Sequence, residues 1–184
     1  AKSFASPTDL SVRVSAVTDG EALPAVAYIK RKGYGRVALL QMQNEIGESM
    51  ADSLRQELAK QSLSPVSSET YTVETVDFRS LLTKIFANSP DVVYVAGTGV
   101  HLANILLQSK ELGLSAQFMS FRTAEDPVLL SMAGDLASGI VYTYAFDPTG
   151  TNPEAQRFVE AYQQKYDDLP DGYAAEGYEG LRLA

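Results

Sequence analysis

The sequence predicts an α/β fold, namely a doubly wound, mostly parallel sheet with helices on both faces. Short apolar runs such as 37–42 and 92–96 alternate along the chain with segments whose apolar residues recur at helical spacing. Strands separated by helices of this length form right-handed βαβ units, which place parallel strands side by side between two layers of helices. The 184 residues are enough for one domain or slightly more.

The first half of the chain predicts three strands and three helices in alternation. The strands are expected at 37–42, at 70–73 as an edge strand, and at 92–96, which reads as buried on both faces. The helices are expected at 18–32, at 47–63 and after Asp77, the proposed N-cap of a segment with apolar Phe78, Leu81, Leu82, Ile85 and Phe86.

The second half continues the same alternation. Strands are expected at 117–121 and 139–146, and helices at 99–112, at 126–133, after the pair Asn152-Pro153, and at 173–184. Gly113 ends the first of these helices, because glycine favours the position just beyond a helix C-terminus, and Pro127 suits the first turn of the second.

Composition and motifs disfavour several classes of function. The net charge is −8, from 15 Lys and Arg against 23 Asp and Glu, and no basic stripe stands out, so nucleic acid is not an expected partner. The chain has no cysteine and one histidine, His101, which leaves no thiolate or histidine cluster for a metal. His101 is expected to be an ordinary residue at the start of a helix.

No catalytic or cofactor motif is found either. A G-x-S-x-G elbow is absent, and the turn at 97–99 lacks the third glycine of a dinucleotide fingerprint because Leu102 stands there. No Walker lysine follows it. We therefore expect a protein without enzymatic activity, cofactor or metal.

Several segments, in order, resemble the second lobe of type I periplasmic binding proteins, in the leucine/isoleucine/valine-binding branch that serves ABC transporters. They are YIKRKGYGRVALL, NEIGESMADSLRQEL, ETYTVETVDFRSLLTKIFANSPDVVYVAGTG, LLQSKELGL and NPEAQRFVEAYQQKYDDLPDGYAAEGYEGLRLA. The resemblance covers the chain after Leu10. It implies a receptor of two lobes, of which the first is missing here.

The resemblance also implies an organisation and a function. Residues 1–17 would be a linker or crossover segment, 18–150 the ligand-binding lobe, and 151–184 helices that return toward the missing first lobe. The receptor would bind a small polar ligand (an amino acid, amide or carboxylate) in the cleft between its lobes, close around it, and deliver it to a membrane permease. Its location would be periplasmic or extracellular, with or without a lipid anchor. The alternative is a ligand-sensing domain of a regulator or receptor.

Ligands of open parallel sheets bind at the carboxyl ends of the strands. These ends lie at 43–46, 97–101, 121–123 and 144–147, and within them the resemblance implies ligand contacts at Asn44, Ile46, Thr98, Gly99 and Arg122. The family's Tyr-Gly pair after the first strand of this lobe is Ile46-Gly47 here, which keeps only the glycine. Thr98 and Gly99 form a glycine-rich turn that would offer a hydroxyl and amides to the ligand, and a purely structural turn is the alternative.

Arg122 reverses a charge relative to the resemblance. Amino-acid-binding members place a carboxylate near this position to pair the ligand's ammonium group, and Glu125 is a candidate substitute here. If Arg122 faces the cleft, its planar guanidinium suits a carboxylate, which predicts an acidic or neutral ligand. The alternative is a solvated loop charge paired with Glu125 or Asp126.

Overall fold

The computed structural model describes residues 14–15 and 17–183, which divide into two compact units. The first unit is Thr18–Thr143, and the second takes residues 144–183 together with Val14, Ser15 and Val17. The division into a linker at 1–17, a ligand-binding lobe at 18–150 and returning helices at 151–184 stays a prediction. Most of the predicted linker, 1–13 and 16, lies outside the described residues.

A five-stranded parallel sheet forms the centre of the first unit, as predicted. Its strands are β1 (Val37–Met42), β2 (Ser67–Tyr71), β3 (Val92–Ala96), β4 (Gln117–Ser120) and β5 (Val141–Tyr142). Their spatial order is β2-β1-β3-β4-β5. The chain therefore goes to one side of β1 for β2 and crosses to the other side for β3, which makes the β1–β3 boundary the topological switch point.

Helices cover both faces of this sheet. They are α1 (Thr18–Arg31), α2 (Glu45–Lys60), α3 (Arg79–Phe86), α4 (Gly99–Glu111) and α5 (Pro127–Ala133). Short 3₁₀ turns at Arg122–Glu125 and Gly134–Ala137 flank α5. Alternate residues of each strand point to opposite faces, so β1 sends Leu39 into a core with α1 and α2, and Leu40 into a core with α3, α4 and α5.

Three strand and helix predictions need correction. The strand predicted at 139–146 is wrong except at Val141–Tyr142, which form β5. Its neighbour β4 ends at Ser120 and offers no further backbone for pairing. The edge strand predicted at 70–73 lies at β2, where it pairs in register with β1. Phe78, not Asp77, is the N-cap of α3, although Asp77 Oδ1 still accepts a hydrogen bond from the Arg79 amide at 3.1 Å.

The second unit contains α6 (Pro153–Tyr166) and α7 (Gly172–Leu183). The pair Asn152-Pro153 opens α6 as predicted, and the Asn152 side chain caps the helix by accepting from the amides of Glu154 and Ala155. The Phe158 ring links the two helices, since its centroid lies 4.7 Å from that of Tyr178 in a stacked arrangement.

Candidate ligand-binding site

The structure brings the five predicted ligand residues to one edge of the sheet. Asn44 and Ile46 follow β1, Thr98 and Gly99 follow β3, and Arg122 follows β4. These three strands are parallel neighbours, so the turns at their carboxyl ends lie side by side at and next to the switch point. Whether these residues contact a ligand stays a prediction.

The turn after β1 is packed closely against the sheet. Asn44 is the N-cap of α2, and its Oδ1 accepts a hydrogen bond from the Gly47 amide at 2.7 Å. A Cβ on Gly47 would lie 2.3 Å from the Met42 carbonyl oxygen, so only glycine fits there. Ile46 is 48% exposed. The Asn44 oxygen therefore supports the fold, while Ile46 offers an apolar side chain at this edge.

The turn after β3 is glycine-rich because two neighbours press against it. A Cβ on Gly97 would lie 1.8 Å from the Tyr71 hydroxyl oxygen, and one on Gly99 would lie 2.9 Å from Cβ of Asp126. The Thr123 hydroxyl also donates to the Gly97 carbonyl at 2.6 Å. Close approach of neighbouring elements thus explains both glycines, without any need for a phosphate to be cradled there.

Thr98 occupies the N-cap position of α4 and is half-buried. Its side chain makes no capping hydrogen bond to the helix backbone; its Oγ1 lies 2.9 Å from Nδ1 of His101 instead. The other ring nitrogen of His101, Nε2, lies 3.1 Å from the Val73 carbonyl oxygen. His101 was expected to be an ordinary helix residue, and its spacing of three from the N-cap was the signal that it could reach Thr98.

Tyr71 at the end of β2 and Tyr94 within β3 are both buried, and the Tyr71 hydroxyl has no hydrogen-bond partner among the described residues. Burial raises the pKa of Tyr71 far above its usual value. Burial also raises the pKa of Tyr94, and the nearby charge of Glu21 adds to the effect. Both phenols are therefore held neutral.

Arg122 pairs with a carboxylate that the sequence did not indicate. Its backbone amide donates to Oε2 of Glu21 at 3.2 Å, and its Nε lies 3.7 Å from Oε1 of the same residue. The side chain of Glu21 is 4% exposed and that of Arg122 is 24% exposed. Glu21 stands 101 residues earlier, on α1, so no local pattern could have indicated this pair.

The two acidic residues proposed as partners of Arg122 have other contacts. Glu125 accepts a hydrogen bond from the Tyr142 hydroxyl, and Asp126 caps α5 by accepting from the Val128 amide at 3.0 Å. The positive charge of Arg122 is thus offset by Glu21. A ligand at this edge would meet a compensated ion pair, not an isolated cation.

Residues 14–15 and 17–183 hold neither a metal-binding cluster nor a membrane-spanning helix. No three His, Asp or Glu side chains there gather as a possible metal site. No helix among the same residues is both long and apolar enough to cross a membrane.

The chain matches one family of known proteins over most of its length. The model of the periplasmic binding protein family matches residues 5–184, and the chain therefore belongs to that family. An amino acid binding protein from Pseudomonas aeruginosa is 30% identical over 149 residues, which cover 80% of this chain and 39% of that protein. A Leu/Ile/Val-binding protein from Citrobacter freundii is 25% identical, over 95% of this chain and 47% of its own length.

Solved structures share the fold. A leucine-binding protein from Thermotoga maritima superposes with a TM-score of 0.82 at 23% identity, covering 93% of this chain and 49% of that protein. A solute-binding protein of an ABC transporter from R. palustris, in complex with benzoate, superposes with a TM-score of 0.78 at 21% identity, covering 93% and 47%. The chain thus spans less than half the length of each of these proteins.

Proposed function

We propose that this chain is one lobe of the extracytoplasmic solute-binding component of an ABC transporter. In this proposal, the edge formed by the turns after β1, β3 and β4 is one wall of an interlobe cleft for a small polar ligand. Another lobe supplies the opposite wall, and the receptor closes on the ligand before it meets a membrane permease. The names of the relatives and their roughly twofold greater length support this assignment.

The observation that carries the proposal is that the turns after β1 and β3 meet at the switch point of a parallel sheet, with the turn after β4 beside them. Open α/β sheets bind ligands at this place because the two neighbouring loops diverge and leave a crevice. Here the crevice would be lined by a hydroxyl from Thr98, by the amides that begin α4, and by the apolar Ile46. Donor, acceptor and apolar groups together suit an amino acid, an amide or a carboxylate.

The ion pair between Arg122 and Glu21 bears on the choice among these ligands. An unpaired arginine would favour a carboxylate strongly, but a carboxylate of this chain already lies against Arg122. We therefore keep zwitterionic amino acids among the proposed ligands, next to amides and carboxylates. Since the related fold from R. palustris is seen with benzoate, simple carboxylates also belong in the test.

The proposal involves binding and closure but no chemical step. The relatives are named as binding proteins, which supports a role without catalysis. A lobe of this kind acts by excluding water around a ligand that the opposite lobe also contacts.

Calorimetric titration of the full-length receptor tests this proposal. Leucine, leucinamide and benzoate represent the three ligand classes, and X-ray scattering measures closure as a decrease in radius of gyration. We expect at least one of the three to bind and to compact the receptor. Thr98→Val should then weaken binding at least tenfold, whereas Thr83→Val, a substitution on an exposed part of α3, should not.

Two results would overturn the proposal. One is that none of the three compounds binds to a correctly folded receptor. The other is that a compound binds but Thr98→Val and Thr83→Val leave its affinity equally unchanged, which would place the ligand elsewhere.

A further inference from the structure

We propose that His101 fixes the Thr98 hydroxyl as a hydrogen-bond acceptor toward the cleft, so that the ligand presents a donor, an ammonium or amide N–H, to Thr98. This inference rests on the proposed function, because it takes Thr98 to be a ligand contact. It makes His101 a positioning residue that determines specificity without touching the ligand.

The Nε2 nitrogen of the His101 ring faces a backbone carbonyl. Nε2 of His101 lies 3.1 Å from the carbonyl oxygen of Val73, in the loop after β2. A carbonyl oxygen can only accept a hydrogen bond, so Nε2 must carry the hydrogen and donate it. This contact selects one of the two neutral tautomers of the imidazole.

The hydrogen on Nε2 determines the role of the other ring nitrogen, Nδ1. In the neutral ring with its hydrogen on Nε2, Nδ1 has a lone pair and can only accept. The Thr98 hydroxyl lies 2.9 Å from Nδ1, so it must be the donor in this hydrogen bond. A hydroxyl has a single hydrogen, and only its lone pairs remain for another partner. With the ring neutral, Thr98 therefore accepts from whatever group lies in the cleft beside it.

The His101 ring is held in one orientation. His101 is buried, and its ring lies edge to face with Tyr71, at a centroid distance of 5.0 Å, and with Phe78 at 6.0 Å. Turning the ring over would move both nitrogens away from their present partners and leave the Val73 carbonyl without this donor. The aromatic neighbours and the two hydrogen bonds thus hold the tautomer and the orientation together.

The chemical consequence is a selection among the three proposed ligand classes. An ammonium or amide N–H satisfies an acceptor at Thr98, whereas a carboxylate oxygen placed there would face another oxygen lone pair. A site that hydrogen-bonds one group discriminates well against an analogue lacking it, because the protein atom is then left unpaired. Leucine carries an α-ammonium group, and its des-amino analogue 4-methylpentanoate lacks it.

A measurement without ligand tests the His101–Thr98 arrangement on its own. Because the chain has one histidine, ¹⁵N-histidine labelling of these 184 residues gives a single pair of ring signals. At about pH 8, where an ordinary imidazole is neutral, we expect a protonated, pyrrole-type shift at Nε2 and a bare, pyridine-type shift at Nδ1. Thr98→Val should move the Nδ1 signal. The opposite tautomer would overturn the inference.

Binding to the full-length receptor tests the consequence for the ligand. We expect leucine to bind at least tenfold more tightly than 4-methylpentanoate, and His101→Phe to reduce this ratio because the Thr98 hydroxyl regains a free hydrogen. His101→Asn places an amide oxygen near the position of Nδ1, so it should restore part of the leucine preference. It also tests the inference if the His101→Phe protein folds poorly.

The outcomes separate this inference from the proposed function. If leucine binds and neither His101 variant changes the ratio, the inference is wrong and the proposed function stands. If neither compound binds to the wild type, the inferred preference for an N–H donor fails, and so does the proposed binding of amino acids and carboxylates. The ¹⁵N shifts then still test the hydrogen bond between His101 and Thr98.

Discussion

At the scale of single residues, the contact between Gly97 and Tyr71 controls the stability of the turn after β3. A Cβ at Gly97 would lie 1.8 Å from the Tyr71 hydroxyl oxygen, so Gly97→Ala should lower the free energy of unfolding by about 2 kcal/mol through overpacking. Tyr71→Phe removes a buried hydroxyl that has no partner among the described residues and should cost little.

Urea unfolding of the two single variants and the double variant measures the coupling between these sites. The double variant should regain much of the loss, since the nearest atoms to the new Cβ are then the ring carbon Cζ at 3.1 Å and the His101 Cβ at 3.8 Å. Gly35→Ala is the matched control, because nothing lies within 4 Å of a Cβ there. Equal losses in Gly97→Ala and in the double variant would show that the hydroxyl is not the obstacle.

Tyr71 and Tyr94 predict a loss of stability at high pH. Burial raises the pKa of both in the folded state, so above about pH 10 the unfolded chain loses phenolic protons that the folded chain keeps. The two phenols contribute fully to the free energy of unfolding below about pH 10. Above that pH, the free energy of unfolding falls by about 1.4 kcal/mol per pH unit for each of them. Chemical unfolding at a series of alkaline pH values measures this slope.

Tyr71→Phe should make the slope shallower. Tyr173→Phe is the control, since Tyr173 is 62% exposed and its loss should leave the slope unchanged. A slope that both substitutions change equally would argue against burial as the cause.

At the scale of elements, the Arg122–Glu21 pair ties α1 to the turn after β4. Arg122→Ala would remove the guanidinium that lies against the buried Glu21 carboxylate and should cost about 3 kcal/mol of unfolding free energy. Adding Glu21→Gln should recover part of that loss, because the amide oxygen can still accept from the Arg122 backbone N–H. Thermal or urea unfolding measures both effects.

An exposed ion pair provides the comparison. Arg79 and Glu111 are both largely exposed, so Arg79→Ala should cost less than about 1 kcal/mol. If Arg122→Ala lowers the free energy of unfolding no more than Arg79→Ala does, the buried Glu21 carboxylate does not need Arg122 for its stability in the fold. This result also matters for ligand assays, since a change in affinity in Arg122→Ala has to be separated from a change in stability.

The elements also show what the sequence could and could not reveal. The bounds of β1 and β3 were predicted correctly, because strands buried on both faces are continuous apolar runs. β5 was overestimated because its length depends on the end of its neighbour β4, which is information from another part of the chain. The edge that gathers the five predicted residues followed from parallel order alone.

Contacts between distant residues were beyond the reach of local patterns. The salt bridge of Arg122 spans 101 residues, and the hydrogen bond from His101 to Val73 joins α4 to the loop after β2. Both depend on how helices pack on the sheet, and neither leaves a spacing in the sequence.

At the scale of the whole molecule, the proposed function predicts that these 184 residues alone bind ligand weakly or not at all. A single wall provides only part of the contacts and cannot close over the ligand. Calorimetry with leucine, leucinamide and benzoate on this chain should give no measurable heat of binding under conditions in which the full-length receptor responds. Micromolar affinity of the chain alone would contradict the two-lobe mechanism.

The exposed position of Ile46 has a practical consequence, because the chain contains no cysteine. Ile46→Cys would create the only thiol in these 184 residues, at the mouth of the proposed crevice and outside the buried cores. An environment-sensitive fluorophore attached there would change its emission when solute displaces water beside it. In the full-length receptor of the proposed function, a label at position 46 would therefore report solute binding optically.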